Sequence, residues 1–511
     1  MLANVRSAAL LGIDAYAVEC EVDICPGLPT FQTVGLPDTA VKESKDRVKS
    51  AITNSQFKFP IQRITVNLAP ADTKKEGPSF DLHMAVGILV ASGKLTQKAV
   101  EGFWMVGELS LDGKIRPIRG ALSISLSARD AGVKGLLVPP ENAKEAAVVQ
   151  GVSVFAVKNL REAFEFLSEV KTLKPTLVDI EEEFKQHSAY RVDFSEVKGQ
   201  ENAKRALEIG AAGGHNILLV GPPGSGKSML TKRLPTILPS LSLEEAIQST
   251  KVHSIAGTLG KRKALLATRA FRSPHHTVSD AGLIGGGTIP KPGEVSLAHN
   301  GVLFLDEFPE FNKNVLEVLR QPLEDGLVTI ARVQSTLTFP AQFMLAAAMN
   351  PCPCGYYTDP ARECTCTPHQ IQKYLGKISG PLLDRIDLHI EVPALKWKEM
   401  SDTEPAEPSE SIRERIGKAR AVQQRRFEGQ GLHCNSQMAS AQLRDHCALD
   451  EPSQSLLKNA MEKFGLSARA YDRILKVART IADLDGEESI RSSYIAEAIQ
   501  YRNLDRSVWR N

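Results

Sequence analysis

Ile217-Leu218-Leu219-Val220-Gly221-Pro222-Pro223-Gly224-Ser225-Gly226-Lys227-Ser228 is the stretch that decides the fold. Four apolar residues of a buried strand run into a G-x-x-x-x-G-K-S loop, and Met229 to Leu234 continue the chain as a helix. The glycines let backbone N–H groups curl around phosphate oxygens, and the helix N-terminus adds the positive end of its dipole. In such a loop the lysine, here Lys227, reaches the β- and γ-phosphates, and the hydroxyl of Ser228 holds Mg²⁺. Gly221, Pro222, Pro223, Gly224, Ser225, Gly226, Lys227 and Ser228 are therefore expected to bind a nucleoside triphosphate, with ATP and Mg²⁺ as the cofactors.

Hydrolysis of that triphosphate needs a second strand that carries acids beside the phosphate loop. Val302-Leu303-Phe304-Leu305-Asp306-Glu307 fits: a buried parallel strand with two carboxylates at its C-terminal end, where α/β proteins hold ligands. Asp306 is expected to position Mg²⁺ and Glu307 to orient the attacking water. A third apolar strand, Met344 to Met349, ends at Asn350, whose amide either holds the same water or, before Pro351, simply makes a turn.

Composition bounds the rest. With 511 residues the chain has room for two to four domains, and 42% apolar with 24% charged residues is ordinary for a globular protein. Lys plus Arg (62) nearly balances Asp plus Glu (60), so a nucleic-acid contact requires a local basic surface. No apolar run approaches the ~20 residues of a membrane helix, and the first residues, broken by Arg6 and Asp14, lack a signal-peptide layout. Four of eight cysteines crowd into one loop, which points to metal binding in a reducing compartment. A cytoplasmic protein without membrane contact is the expectation.

The strings quoted so far resemble the AAA+ ATPases, specifically their magnesium-chelatase-like branch, from about residue 190 to the end. Val197-Lys198-Gly199-Gln200 is similar to the adenine-side entry box, which would put Val197 and Gly199 at the nucleotide. Asn350 falls at the sensor-1 position. Gly380-Pro381-Leu382-Leu383-Asp384-Arg385-Ile386-Asp387 is similar to the element that bears the arginine finger, so the resemblance assigns Arg385 to the γ-phosphate of a neighbouring subunit; a structural pair with Asp384 or Asp387 is the alternative. Arg469, behind the N-cap candidate Ser467, matches sensor 2 at the start of a lid helix whose apolar residues Ile474, Val477, Ala478, Ile481 and Leu484 recur at helical spacing. A finger acting in trans implies a ring of identical subunits, a hexamer in most of this family.

Two insertions also match the branch. The breaker-rich segment Gly285 to Gly293 resembles its helix-2 insert, and Leu327 to Thr338 resembles its pre-sensor-1 hairpin, which lines the pore in related helicases. Arg332 and, less directly, Lys291 would then face DNA; Arg332 as an ordinary surface arginine is the alternative. Cys352-Pro353-Cys354 and Cys364-Thr365-Cys366 offer four thiolates for a structural Zn²⁺, with His369 as a possible substitute ligand and free or redox-active thiols as the other reading.

Residues 1–168 resemble the Lon protease domain through Gly77-Pro78-Ser79, Val106 to Ile115 and Ala131 to Asn142. The position of the catalytic lysine in that family holds Leu122, and a serine without its base is a poor nucleophile. Ser79 is expected instead to cap a helix starting at Phe80, and the domain to serve as a ring-forming platform or a DNA-facing collar.

The expected fold is an α/β multidomain one. It comprises an N-terminal α+β Lon-protease-like domain (1–168), a linker (169–189), an AAA+ P-loop α/β module (190–395) with helix-2 insert, pre-sensor-1 hairpin and cysteine loop (352–366), a second linker (396–410), and a C-terminal helical lid (411–511) of the magnesium-chelatase type. This arrangement resembles the YifB/ComM family end to end. The resemblance implies an ATP-driven hexameric DNA helicase that promotes branch migration on branched or three-stranded DNA during natural transformation. Two rivals stand beside it. One is a chelatase-like motor that remodels a metal-insertion partner, against which the chain lacks a D-x-S-x-S string; the other is a protein unfoldase or protease, against which stands Leu122.

Overall fold

The computed structural model describes residues 1–502, apart from 76, 261–262, 288–289, 333–334, 358 and 395–405. Residues 1–188 together with 243–267 form one compact unit, and residues 189–242 together with those from Thr268 onward form the other. No helix among the described residues is long and apolar enough to cross a membrane.

The first unit is built on a seven-stranded mixed sheet. Its strands are β1 (Leu2–Leu11), β2 (Asp14–Cys25), β3 (Thr30–Val34), β4 (Arg63–Ala69), β5 (Phe103–Met105), β8 (Gly135–Val138) and β9 (Ser153–Ala156), in the order β3-β4-β2-β1-β5-β8-β9. A two-stranded ribbon, β6 (Glu108–Leu109) with β7 (Ile115–Arg116), lies outside it. β1 and β2 form a hairpin paired from Leu2↔Asp23 to Leu11↔Asp14, and alternate residues such as Val18, Cys20 and Val22 face the core. Against it packs the helix Asp81–Ala91, all of whose residues are buried, as expected for a helix that is apolar all round. Its one charge, Asp81, is satisfied by Arg47 at 2.7 and 3.1 Å and by the Leu109 amide at 3.1 Å. Burial pushes the Asp81 carboxyl up, and the Arg47 guanidinium opposes that shift.

The structure adds two features to the sequence reading. The polar stretch 169–189 is not wholly irregular: Ile180–His187 is a helix capped by Asp179, with Glu181, Glu182 and Glu183 in its first turn, where the dipole favours acids. The segment Leu243–Ala267, which chain order puts inside the nucleotide-binding module, packs instead with the first unit. Its helix Leu243–Ala256 is tied there by Lys251 to Asp14 (2.5 Å), and by Ser254 to the Gly120 amide (2.8 Å) and to Glu145 (2.5 Å).

The second unit holds a parallel sheet of β10 (Ile217–Val220), β11 (Phe271–Arg272), β14 (Val302–Leu305), β17 (Met344–Met349) and β18 (Leu388–Glu391), in the order β11-β14-β17-β10-β18. Between these strands come two small hairpins, β12 (Gly285–Gly286) with β13 (Lys291–Pro292), and β15 (Leu327–Arg332) with β16 (Ser335–Pro340). β10, β14 and β17 are short, apolar and buried on both faces, the signature of a parallel sheet covered by helices. Among the described residues five helices follow, Ser409–Arg426, Ser440–His446, Glu451–Phe464, Ala468–Leu484 and Ser492–Gln500. Their apolar faces join Ile217, Leu219, Phe304 and Ala346 in a single hydrophobic core, so the lid and the sheet bury surface together. Ser467 caps Ala468–Leu484 by accepting the Ala470 amide at 3.2 Å. This is a multidomain AAA+-type α/β fold.

Candidate nucleotide site

Parallel strands deliver their C-terminal ends to one edge, and the sheet order sets β10, β17 and β14 side by side. The ends of these three strands carry the phosphate loop, Asn350, and Asp306 with Glu307. Gly224 and Gly226 take φ of 78° and 87°, a backbone that favours glycine and curls the loop before the helix Lys227–Ile237. The Lys227 ammonium donates to the Gly221 and Pro222 carbonyls at 2.7 and 2.9 Å and lies 3.3 Å from Asn350 Oδ1. Burial depresses its pKa, and Asp306 opposes that effect. Ser228 Oγ donates to Asp306 Oδ2 at 2.7 Å, so a hydroxyl and a carboxylate already converge, both hard oxygen ligands suited to Mg²⁺. Val197 is buried, Gly199 has φ 58°, and Gln200 sends its side-chain amide to the Ser225 carbonyl, which joins the entry box to the phosphate loop.

Glu307 sits in the left-handed region (φ 54°), uncommon for a non-glycine residue and a place where local strain often serves a site. Its carboxylate meets His276 Nδ1 at 3.2 Å, and His276 in turn stacks on His275 with ring centres 4.1 Å apart. Sequence reasoning missed His276; an adjacent histidine pair in a breaker-rich segment was its one available signal. Glu307→Gln is expected to keep ATP binding and lose hydrolysis, so that ATP-loaded protein accumulates. His276→Ala frees the carboxylate and should raise basal turnover roughly two- to fivefold, the scale of an exposed ion pair. A fall in single-turnover rate for His276→Ala would instead make the imidazole part of the chemistry.

Arg385 stands apart from this cluster. It pairs with neither Asp384 nor Asp387: its guanidinium reaches Glu324 and the Pro381 carbonyl (2.5 Å), while its buried Nε has no hydrogen-bond partner. Asp387 is taken by Arg473 (2.6 Å), His215 (3.3 Å) and the Asn216 amide (3.2 Å). Burial opposes its charge, yet Arg473 and His215 hold its carboxyl well below the usual range, so it anchors the segment that follows Arg385. Arg469 is exposed and lies 3.6 Å from Asp384; together with Arg385 and Arg473 it lines a small cavity of about 110 Å³. The two arginines carried over from the family thus lie with each other, and the structure gives neither of them a contact with the phosphate loop.

The two insertions are neighbours. A Cβ placed on Gly285 would come within 2.9 Å of Ile330 Cδ1, and one on Gly286 within 3.4 Å of Arg332 Nη2. Arg332 is exposed on β15, shares a groove of about 660 Å³ with Gly285 and Arg385, and has no ion pair among the described residues. Lys291 is exposed on β13. The four cysteines of the loop bring their sulfur atoms within 4.8 Å of one another; His369, in the helix Pro368–Leu375, is outside that cluster. In the first unit Ser79 lies in a 3₁₀ turn, Pro78–Phe80, and does not cap the helix, which begins at Asp81 without a side-chain cap. Its carbonyl accepts the Gly107 amide instead (3.0 Å), and that pairing sets the turn. Leu122 is fully buried and supplies no base.

Comparison with known proteins finds family models and relatives that match this chain. A family model described as magnesium chelatase, subunit ChlI, matches residues 193–400; one for subunit ChlI of Mg-chelatase matches 20–142; and one for the ChlI C-terminal region matches 406–502. The chain is 44% identical over 508 residues to competence protein ComM of Haemophilus influenzae, covering 99% of this chain and 98% of that protein. It is 43% identical over 507 residues to YifB of Escherichia coli, with 99% and 98% covered. A Lon protease of Lachnoclostridium phytofermentans is 27% identical over 167 residues, 30% of this chain and 20% of that one.

Proposed function

Because this chain belongs to the YifB/ComM family of magnesium-chelatase-like AAA+ proteins, we propose that it is an ATP-driven ring translocase on DNA, promoting branch migration while incoming DNA recombines during natural transformation. The observation that carries this reading is the split of its candidate residues. Lys227, Ser228, Asp306 and Asn350 gather at one sheet edge, whereas Arg385 and Arg469 line a separate cavity, where Glu324 and Asp384 are their acidic neighbours. A finger of this kind completes the site of a neighbouring subunit, and repetition of that contact closes a ring, a hexamer by family resemblance.

In the proposed reaction Lys227 binds the phosphates. Ser228 and Asp306 hold Mg²⁺, which supplies positive charge against the phosphate oxygens. Glu307 orients the water and receives its proton, and Asn350 fixes that water opposite the leaving group. Arg385 of the adjoining subunit stabilises the charge that builds on the γ-phosphoryl oxygens. Asn350 already belongs to this cluster: its Oδ1 lies 3.3 Å from Lys227 Nζ.

Arg332 and Lys291 are proposed to meet the DNA backbone, since both are exposed on adjacent small hairpins. The test is ATP-dependent unwinding of three- and four-stranded junctions, beside the Lys227 variant. DNA-stimulated ATP turnover should fall steeply with salt, as phosphate contacts require. Arg332→Ala should weaken DNA binding roughly threefold to thirtyfold per subunit contact and leave basal hydrolysis intact, because the side chain touches nothing at the nucleotide. Unchanged DNA affinity would remove Arg332 from the interface. The family models' descriptions favour one second reading, a chelatase-like motor working on a protein partner. Indifference to DNA together with stimulation by such a partner would select it.

A further inference from the structure

We propose that Cys352, Cys354, Cys364 and Cys366 bind one Zn²⁺, and that the loop closed by this ion braces the nucleotide site through Gly355 and Asn350. The metal half stands on the cysteines alone; the brace rests on the nucleotide-site reading above.

All eight cysteines are free thiols, and the sulfurs of this loop are set at non-bonded distances. Cys352 Sγ lies 3.3 Å from Cys354 Sγ and 3.7 Å from Cys364 Sγ, and Cys354 Sγ lies 3.6 Å from Cys364 Sγ. A tetrahedral Zn²⁺ with Zn–S bonds of about 2.3 Å has sulfur–sulfur edges of about 3.8 Å, so the cage needs only a slight opening to admit the ion. Backbone amides are turned toward the sulfurs: Gly355 and Tyr357 donate to Cys352 Sγ at 3.2 and 3.4 Å, and Cys354 donates to Cys366 Sγ at 3.3 Å. Amides aimed at sulfur stabilise thiolates, the form that binds a metal. The tight C-x-C spacing is thus no obstacle. Four soft ligands in a closed tetrahedron select zinc among the common divalent ions. Among the described residues of the loop, all but Cys352 and Gly355 are half-buried or exposed, so they make little apolar core of their own, and the ion would serve as that core.

The same loop leans on the phosphate site. Gly355, at φ 88°, lies where a Cβ would come within 2.5 Å of Pro223 Cδ and 3.8 Å of Asn350 Cγ. Pro223 belongs to the phosphate loop, and Asn350, whose Oδ1 is 3.3 Å from Lys227 Nζ, immediately precedes Pro351 and Cys352. Closing the four-cysteine cage therefore fixes the chain that follows Asn350 and holds Gly355 against Pro223.

The experiment measures zinc and nucleotide affinity separately on the full-length protein. Elemental analysis of protein purified without chelator should find about one zinc per chain. Cys354→Ser/Cys364→Ser should lose the zinc and bind a fluorescent ATP analogue at least tenfold more weakly, at a scale set by misplacing several phosphate contacts. Gly355→Ala should keep the zinc and still bind the analogue roughly tenfold more weakly, because a Cβ there is both strained and in collision with Pro223. Four titratable thiols with no zinc, or iron in its place, would overturn the metal site. Zinc present with wild-type affinity in Gly355→Ala would overturn the brace. Wild-type protein that carries zinc but binds no ATP would overturn the nucleotide-site reading and the brace with it, leaving the metal site supported.

Discussion

Arg385→Ala is expected to cut ATP turnover by about 10³–10⁵-fold, the effect of removing an arginine finger, while each subunit still binds ATP normally. The fold should survive the change. Glu324, which holds the guanidinium, is 53% exposed and is rehydrated when the arginine goes, and the variant also removes a buried Nε that has no acceptor. The discriminating measurement mixes two inactive proteins, Arg385→Ala and Lys227→Ala. If the subunits assemble as proposed, a ring of both variants would contain interfaces where an intact phosphate loop faces an intact Arg385, so turnover should reappear on mixing. Continued silence of the mixture, or normal turnover in Arg385→Ala alone, would remove the arginine from catalysis in trans.

Lys227→Ala is the second large effect. The ammonium is already held over the loop by the Gly221 and Pro222 carbonyls and lies near Asn350, so it is poised to exchange these contacts for phosphate oxygens without a search through rotamers. Each charge-assisted hydrogen bond to a phosphate contributes about 1.5–3 kcal/mol, which sets the expected loss of ATP affinity at about 10²-fold or more, with hydrolysis and junction unwinding both abolished. Equilibrium binding of an ATP analogue and steady-state phosphate release read the two effects independently. Affinity within threefold of the unmodified chain would mean that the lysine does not carry the triphosphate.

The site was more legible than the fold around it. Ile217–Val220, Val302–Leu305 and Met344–Met349 announce themselves as short apolar runs with chemistry at their ends, and the structure makes each a strand of one sheet. The order of those strands was beyond the reach of spacing, because neighbours in a parallel sheet are not neighbours in sequence. His276 and Glu324 escaped for a related reason: each acquires its meaning from a partner, Glu307 or Arg385, that only tertiary structure brings near. The hairpin of β1 and β2 was obscured by composition, since alanine and serine fill many of the inward positions of β1 and blur the alternation of a strand. Ser79 looked like a helix cap because serine before an apolar run has that sense locally; the extra 3₁₀ turn, fixed by the Gly107 amide, displaced it.

The excursion of Leu243–Ala267 bears on how this protein evolved and how it can be dissected. The polypeptide leaves the phosphate-binding unit after the helix Lys227–Ile237, adds the buried Ala246, Val252, Ala264 and Leu265 to the other unit, and then returns to make β11. A chain stitched in this way is not a pair of beads on a string. Cutting it before Tyr190 would strand a greasy helix with no bed to lie in, and neither half could be exchanged with a relative's by recombination at a single junction. Inheritance of the two halves as one cassette is the economical outcome, in keeping with relatives that match from end to end.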